Sequence, residues 1–189
     1  MGPEEIRVAE LFAGVGGFRL GLEGAPSKEW ETDILKVGDT GFKVIWSNQW
    51  EPGSNRQWAS RVYTERFGED GHEGGDLHEF TRTVEDTHQI PEVDLLVGGF
   101  PCQDYSVART KSGEMGILGE KGKLWENLWR IISRADHTQH RPKVVLLENV
   151  PRLLNSPANA RGLNFSVILR RLLGMGYEVE WRVIHADDY

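Results

Sequence analysis

Residues 7–23 read RVAELFAGVGGFRLGLE and join a short apolar run to an amphipathic one through glycines at positions 14, 16 and 17. A strand that turns on glycines directly into a helix is the opening unit of an α/β domain. Backbone without side chains also lets a ligand approach closely. Residues 12–17, here named the glycine turn, are therefore a candidate ligand site. A tight strand–helix connection without a ligand is the alternative.

The rest of the chain alternates in the same way. KVIWS (43–47) predicts a second strand, and VDLLVGG (93–99) and KVVLLENV (143–150) are nearly continuous apolar runs. Such runs are typical of parallel strands buried on both faces. Strands that alternate with helices predict an α/β fold with a doubly wound, Rossmann-like, mostly parallel sheet and helices on both faces.

Helical periodicity predicts three further helices. The first runs from a cap at Ser54 or Asn55 to Phe67, the second covers 124–135, and the third covers 165–173 and ends at the glycines that follow. YEVEWRVIH (177–185) alternates like a strand, whereas 24–42 and 68–75 are predicted to be surface loops.

Length and composition indicate one soluble globular domain over residues 1–189. Hydrophobic residues make up 39% of the chain and charged residues 27%, which is ordinary for a globular protein. Neither a secretory signal nor an apolar run of the roughly 20 residues that a membrane span needs is visible. A single cysteine cannot form an internal disulfide, so we expect a cytoplasmic protein. The net charge of −7 argues mildly against unaided nucleic-acid binding.

The glycine turn differs from the dinucleotide fingerprint, because Arg19 stands where a third glycine is required. This weakens the alternative of a nicotinamide- or flavin-dependent oxidoreductase and favours a smaller nucleoside ligand. Trp50 offers a stacking surface, Gln49 or Glu51 a ribose partner, and Asp76 an acceptor for an adenine amino group. The structural alternatives are a core role for Trp50 and a loop cap at Asp76.

Cys102, the only cysteine, lies in GGFPCQDYS (98–106) after a predicted strand. Glu148 and Asn149 end the next predicted strand, and parallel strands bring their carboxyl ends to one edge of the sheet. Burial of Glu148 beside apolar strand ends would favour its protonated form, which suits a proton donor. A thiol nucleophile, an acid and a nucleoside pocket together predict a reaction site.

The order of these motifs resembles the DNA cytosine-5 methyltransferase family over nearly the whole chain. ELFAGVGGFRLGLE, SNQWE, GDL, GGFPCQDYS, GKLW and LLENV follow one another as they do in that family. The resemblance implies that the Cys102 thiolate adds to carbon 6 of cytosine, so that carbon 5 accepts a methyl group. It implies that Glu148 binds ring nitrogen 3, with Asn149 as a positioning partner, and that the cytosine is flipped out of the duplex.

The resemblance also implies S-adenosyl-L-methionine as the cofactor. This chain departs from the family at Gln49, where an acid is usual, so either Gln49 or Glu51 is expected to bind the ribose. Substrate-binding roles are implied for Gln103, Ser106 and Arg109, within a segment (103–123) similar to the family's mobile loop. The implied cofactor positions are Phe12, Gly14, Val15, Gly17, Gln49, Trp50, Glu51, Asp76, Leu77, Gly99 and Leu124.

The resemblance implies that residues 1–189 are a catalytic domain that binds S-adenosyl-L-methionine and no metal. Double-stranded DNA is the implied partner, and a role in DNA methylation within a bacterial restriction–modification system is expected. HADDY, at the end of the chain, resembles the entry to the family's next motif. A further region or a second chain is therefore expected to supply target recognition, and residues 1–189 alone are not expected to methylate DNA at a useful rate. Two alternatives stay open, a tRNA-methylating enzyme of the same family and a module that only binds a nucleoside or a partner protein.

Overall fold

The protein forms an α/β structure around a single parallel sheet in the part of the chain that can be described. The computed structural model describes residues 5–28, 40–100, 122–134, 141–185 and 187. The strands are β1 (Ile6–Leu11), β2 (Phe42–Asn48), β3 (His72–Glu73), β4 (Leu95–Gly99) and β5 (Val144–Glu148). The helices are α1 (Gly17–Glu23), α2 (Trp58–Phe67), α3 (Val84–Thr87), α4 (Gly122–Ser133) and α5 (Leu163–Gly174). Short 3-10 helices cover Glu79–Thr81 and Pro151–Asn155.

The sheet has the order β3-β2-β1-β4-β5, and all of its strand pairs are parallel. The chain therefore leaves β1 toward one edge and returns at β4 toward the other, as the doubly wound prediction requires. One face buries Val8, Val44, Leu95 and Val97 against Phe18 and Leu22 of α1. The alternate residues Ala9, Leu11 and Leu96 are fully buried as well, so the central strands are covered on both faces.

A β-bulge interrupts the pairing of β1 with β2. Val8 pairs with Val44 but Ala9 pairs with Trp46, which leaves Ile45 as an extra residue. Because side chains alternate along a strand, the extra residue moves Trp46 to the face opposite Val44. There its ring contacts Phe80 edge to face, with the ring centroids 6.0 Å apart.

Several predicted element bounds were wrong. Helix α2 begins at Trp58, after Gln57 rather than after Ser54 or Asn55, and residues 72–73 form a strand inside a predicted loop. Residues 177–185 form no strand, since no other part of the described chain pairs with them. Strand β5 is not buried on both faces: Val144 is 57% exposed, and within the described residues β5 borders β4 alone.

The chain groups into two compact units. The first comprises Met1–Phe100 and Glu126–Glu148 and contains the whole sheet; the second comprises Pro101–Trp125 and Asn149–Tyr189. In the second unit, Ile168 and Leu172 of α5 are buried, and Phe165 contacts the Trp181 ring edge to face. A membrane-crossing helix is not found among the residues that the structure describes. The assignment of 1–189 to one catalytic domain stays a prediction.

Candidate active site

The glycine turn is a run of left-handed backbone between β1 and α1. Phe12 has φ 55°, Gly14 56° and Gly16 89°, and a non-glycine residue in this region is uncommon and strained. A Cβ added at Gly14 or Gly17 would meet no atom within 4 Å. The outer side of the turn is therefore open at these two positions, and a ligand could approach the backbone there.

Side chains from two other elements fix the turn. Gln49, directly after β2, accepts a hydrogen bond of 2.8 Å through Oε1 from the Gly14 amide. The Arg66 guanidinium of α2 donates to the Val15 carbonyl oxygen at 2.9 Å. Gly16 packs against α2 so closely that an added Cβ would lie 2.2 Å from Phe67 Cε2. The glycine at position 16 is thus required by packing and by φ together.

The structure separates the two candidate ribose partners. Gln49 contacts the turn, whereas Glu51 contacts the beginning of α2. The Glu51 Oε2 atom accepts from the Ala59 amide at 3.3 Å, and the Glu51 amide donates to Gln57 Oε1 at 2.8 Å. Glu51 therefore satisfies an amide at the beginning of α2. A shift of the backbone that would bring Glu51 to the turn is not seen.

Three further predicted cofactor residues, Trp50, Asp76 and Leu77, lie in loops that follow β2 and β3. Trp50 is 37% exposed, so its ring is not part of the core. Asp76 Oδ1 accepts from the His78 amide at 2.9 Å, which is the loop-capping arrangement considered as its alternative role. Leu77 is buried, with 2% of its surface exposed.

The ends of β4 and β5 bring Gly99 and Glu148 together. These residues are partners in the parallel register, and a Cβ added at Gly99 would lie 3.0 Å from Glu148 Oε2. The prediction that these two strand ends share one edge of the sheet is confirmed. Glu148 is exposed in the structure, so the burial expected from its apolar neighbours in sequence is not found.

The other predicted site residues either lie outside the described residues or belong to the second unit. Cys102, Gln103, Ser106 and Arg109 lie outside the described residues, and their roles stay predictions. Leu124, half-buried in the first turn of α4, and Asn149 both belong to the second unit.

Sequence reasoning missed a buried polar cluster beneath the glycine turn. Glu10 of β1 has no exposed surface, and its Oε2 accepts from the Tyr63 hydroxyl at 3.0 Å. Its Oε1 accepts from the Arg19 amide at 3.4 Å. Burial raises the pKa of Glu10 to about 7. The available signal was one acidic residue inside the apolar run VAEL, because a carboxylate is almost never fully buried unless it is paired.

Arg19 also explains the absent third glycine. Its Nε donates to Glu23 Oε2 at 2.8 Å, and its guanidinium lies 4.7 Å from the centre of the Phe67 ring. The side chain at this position packs on α2, so no close backbone approach is needed there.

Comparison with known proteins agrees with this geometry. Residues 6–189 match the family model described as C-5 cytosine-specific DNA methylase. The chain is 48% identical over 185 residues to the type II methyltransferase M.Sau3AI of Staphylococcus aureus, covering 98% of this chain and 40% of that protein. It is 31% identical over 184 residues to M.HhaI of Haemophilus parahaemolyticus, covering 97% of this chain and 45% of that protein.

A solved structure shares the fold. The chain matches the Entamoeba histolytica methyltransferase EhMeth with a TM-score of 0.64 at 18% identity, over 97% of this chain and 48% of that one. The chain thus spans less than half the length of these relatives. A family match over residues 6–189 nevertheless covers nearly all of it. The chain therefore belongs to the C-5 cytosine-specific DNA methylase family.

Proposed function

We propose that this chain carries the catalytic portion of a DNA cytosine-5 methyltransferase. In this reaction a methyl group passes from S-adenosyl-L-methionine to carbon 5 of a flipped cytosine. The observation that carries the proposal is the juxtaposition of Gly99 and Glu148 at the carboxyl ends of β4 and β5. Cys102 follows Gly99 by three residues in the sequence.

The residues around the glycine turn fit the cofactor. Open space above Gly14 and Gly17 allows close approach to the backbone, and the exposed Trp50 ring is available for stacking. Gln49 Oε1 is already engaged with Gly14, so its amide nitrogen is the group that we assign to a ribose oxygen. When bound, S-adenosyl-L-methionine supplies an electrophilic methyl group.

Cys102 and Glu148 perform the chemistry in this proposal. The Cys102 thiolate forms a bond to carbon 6 of cytosine, while Glu148 supports a proton at ring nitrogen 3 and so neutralises the charge that the attack creates. Carbon 5 would then bond to the methyl group that S-adenosyl-L-methionine supplies, with S-adenosylhomocysteine as the leaving group. A base removes the proton from carbon 5, the bond between sulfur and carbon 6 breaks, and the thiolate leaves. A free thiol is only a few per cent ionised at neutral pH, so the site must favour the thiolate.

The partner proposed is duplex DNA, since the matched family is described by its action on DNA. Target recognition is assigned to the part of the relatives' length that this chain does not span, on a continuation of the chain or on a second one. The chain's net charge of −7 agrees with a DNA-facing basic surface located outside these residues. The tRNA-methylating alternative keeps the same chemistry and remains an outcome of the test below.

A trapping experiment tests the function directly. The chain is joined to the uncovered part of the staphylococcal relative and incubated with S-adenosyl-L-methionine and duplex DNA containing 5-fluorocytosine. Fluorine at carbon 5 cannot be removed as a proton is, so the covalent adduct should accumulate. Because Cys102 is the only cysteine of the chain, peptide mass spectrometry assigns any thiol adduct within residues 1–189 to it.

Two variants control the assignment. Cys102→Ser should form no adduct, and adding Ser27→Cys to it restores a thiol at an exposed position without restoring the adduct. An adduct of equal yield in Cys102→Ser would overturn the proposal. Adducts with 5-fluorocytosine in tRNA but none with duplex DNA would favour the RNA alternative.

A further inference from the structure

Glu10 is a buried carboxyl group that the proposed reaction does not use. It lies in β1, two residues before the glycine turn, and none of its surface is exposed. Its two oxygens have different partners: Oε2 accepts from the Tyr63 hydroxyl of α2, and Oε1 accepts from the Arg19 amide of α1. A single carboxyl group thus connects the two helices that flank the turn.

The contact with α1 replaces a missing helix cap. Helix α1 follows Gly16, which has no side chain to accept from the first amides of the helix. Glu10 accepts from one of these amides from below, at Arg19. The carboxyl group therefore fixes the exit of the glycine turn relative to β1, from which the turn begins.

The contact of Glu10 with Tyr63 of α2 connects it to the glycine turn a second time, through side chains of α2 that pack on the turn. The Tyr63 ring lies 5.0 Å from the Phe67 ring, centre to centre, and Phe67 packs on Gly16. One turn of helix away, Arg66 donates to the Val15 carbonyl oxygen. A shift of Tyr63 relative to Glu10 would therefore displace the side chains that contact the middle of the turn.

The surroundings of Glu10 make it the group in this cluster that titrates near neutral pH. Burial raises the pKa of Glu10 to about 7, against the lowering effect of its hydrogen bond from Tyr63. Burial, with the nearby charge of Glu10, raises the pKa of Tyr63 to about 12. His72, whose ring stacks on Tyr63 at 4.6 Å, has a lowered pKa because of burial and the charge of Arg19. Among the described residues, the other charged neighbours of this cluster are Arg19 and its ion-pair partner Glu23.

We propose that Glu10 and Tyr63 form a positioning pair that fixes the glycine turn for the cofactor and makes cofactor affinity depend on the protonation of Glu10. The inference rests on the proposed function, because it assumes that the turn binds S-adenosyl-L-methionine or its demethylated product. Neither residue touches the cofactor in this proposal. Both act through the backbone of the turn.

The direction of the effect follows from hydrogen-bond strength. Ionised Glu10 offers acceptors to both Tyr63 and Arg19, and hydrogen bonds to a charged acceptor are about twice as strong as neutral ones. Protonation weakens both hydrogen bonds, so the turn is held less firmly at low pH, although protonation also removes the cost of burying a charge and so stabilises the folded chain as a whole. We expect the dissociation constant of S-adenosylhomocysteine to be roughly fivefold larger at pH 6 than at pH 8 through this group.

Calorimetric titration with S-adenosylhomocysteine across pH 6–8 tests the pair. The quantity compared is the ratio of the dissociation constants at pH 6 and pH 8, here named the pH ratio. In Glu10→Gln the part of the pH ratio that is due to this carboxyl group should vanish, while ionisation of the ligand affects both proteins equally. Glu23→Gln is the matched control, because Glu23 also contacts Arg19 but does not contact Tyr63; it should keep the pH ratio of the parent.

A second variant distinguishes positioning from simple structural support. Tyr63→Phe keeps the ring but removes the hydrogen bond that lowers the pKa of Glu10, so the midpoint of the pH dependence should move to higher pH. A purely structural role would weaken binding equally at every pH and leave the midpoint unchanged. This readout remains available if Glu10→Gln fails to fold.

The outcomes separate this inference from the proposed function. If the parent binds S-adenosylhomocysteine but Glu10→Gln shows the same pH ratio, or if the midpoint in Tyr63→Phe is unmoved, the positioning pair is overturned and the proposed function stands. If the parent binds no S-adenosylhomocysteine at any pH, the cofactor assignment fails and the inference fails with it.

Discussion

Gly99 and Glu148 are partners in the pairing of β4 with β5 and lie close together: a Cβ at position 99 would lie 3.0 Å from Glu148 Oε2, so the carboxylate would have to shift slightly to accept it. The neighbouring Gly98 is equally tight, but its added Cβ would lie 3.0 Å from the Leu11 carbonyl oxygen. One glycine therefore borders the end of a flexible side chain, and the other borders backbone in the centre of the sheet. Alanine at the two positions should have different consequences.

We expect Gly98→Ala to lower the free energy of unfolding by about 1–3 kcal/mol, since the backbone of β1 cannot move aside. Gly99→Ala should change it by roughly 0.5 kcal/mol or less, because the Glu148 carboxylate can move. That movement should lower methyl transfer about tenfold or more, as a displacement of ~1 Å can cost about 100-fold. Urea unfolding and a methyl-transfer assay of the fused enzyme measure the two effects. Equal loss of stability in both variants would contradict the claim that Gly98 borders fixed backbone and Gly99 a movable side chain.

Replacement of Gln49 should weaken cofactor binding, whereas replacement of Glu51 should weaken the fold. Gln49→Ala removes the acceptor of the Gly14 amide, and we expect the dissociation constant of S-adenosylhomocysteine to rise about tenfold. Glu51→Ala removes the acceptor of the Ala59 amide and should cost about 0.5–2 kcal/mol of stability without a change in affinity. Calorimetry and urea unfolding of both variants provide the comparison. A larger loss of affinity in Glu51→Ala than in Gln49→Ala would indicate that Glu51, and not Gln49, binds the ribose.

Alanine should lower the free energy of unfolding at Gly16, before α1, and raise it at Gly21, inside α1. Gly16→Ala combines a left-handed φ with a Cβ 2.2 Å from Phe67, and we expect a loss of about 2 kcal/mol or more in unfolding free energy. Gly21 lies inside α1 with no atom within 4 Å of its added Cβ, so Gly21→Ala should stabilise the protein by about 0.5–1 kcal/mol. Chemical denaturation measures both. Destabilisation by Gly21→Ala would show that this face of α1 is more tightly packed than described.

Folding stability should depend on pH through Glu10. Its pKa rises from an ordinary value of 4.5 to about 7 on folding, so the folded state retains a proton that the unfolded state has lost. Its stabilising contribution is complete below pH 4.5 and disappears as the pH rises through 7. Between pH 5 and pH 8 the parent should lose about 2–3 kcal/mol that Glu10→Gln does not lose. Urea unfolding of both proteins at pH 5 and pH 8 measures this difference. An equal loss of unfolding free energy in Glu10→Gln and in the parent would contradict the prediction.

The sheet could be predicted from sequence because its central strands are short apolar runs that end at glycine or polar residues. Strand β3 could not, since two residues become a strand only where β2 offers free hydrogen-bonding groups. The same reason applies in reverse to residues 177–185. Their alternation is compatible with a strand, but a strand exists only with a partner, and no described residue provides one.

The helix α2 shows why capping propensity alone misplaced a boundary. Ser54 and Asn55 are good caps, yet the Gln57 side chain donates to the carbonyl oxygens of Glu51 and Ser54 and delays the first turn to Trp58. That closed loop involves residues six apart, which local preference does not reveal. The same loop engages Glu51 at the beginning of α2, and this contact could not be predicted from sequence either.

The extra residue in β2 decides which face of the sheet each later side chain of the strand lies on. Before Ile45 the even-numbered Val44 lies on the face that α1 covers, whereas after it the even-numbered Trp46 lies on the opposite face. Ser47 contacts the His72 ring, with Oγ 2.9 Å from Nδ1. Loss of Ile45, with every other amino acid retained, should therefore remove the bulge and leave Trp46 paired with Ala9 on its present face, because the residue after Val44 lies on the opposite face in a regular strand. Ser47 should then keep its contact with the His72 ring, so this deletion should be tolerated better than the loss of one residue from β4, whose pairing has no extra residue to lose.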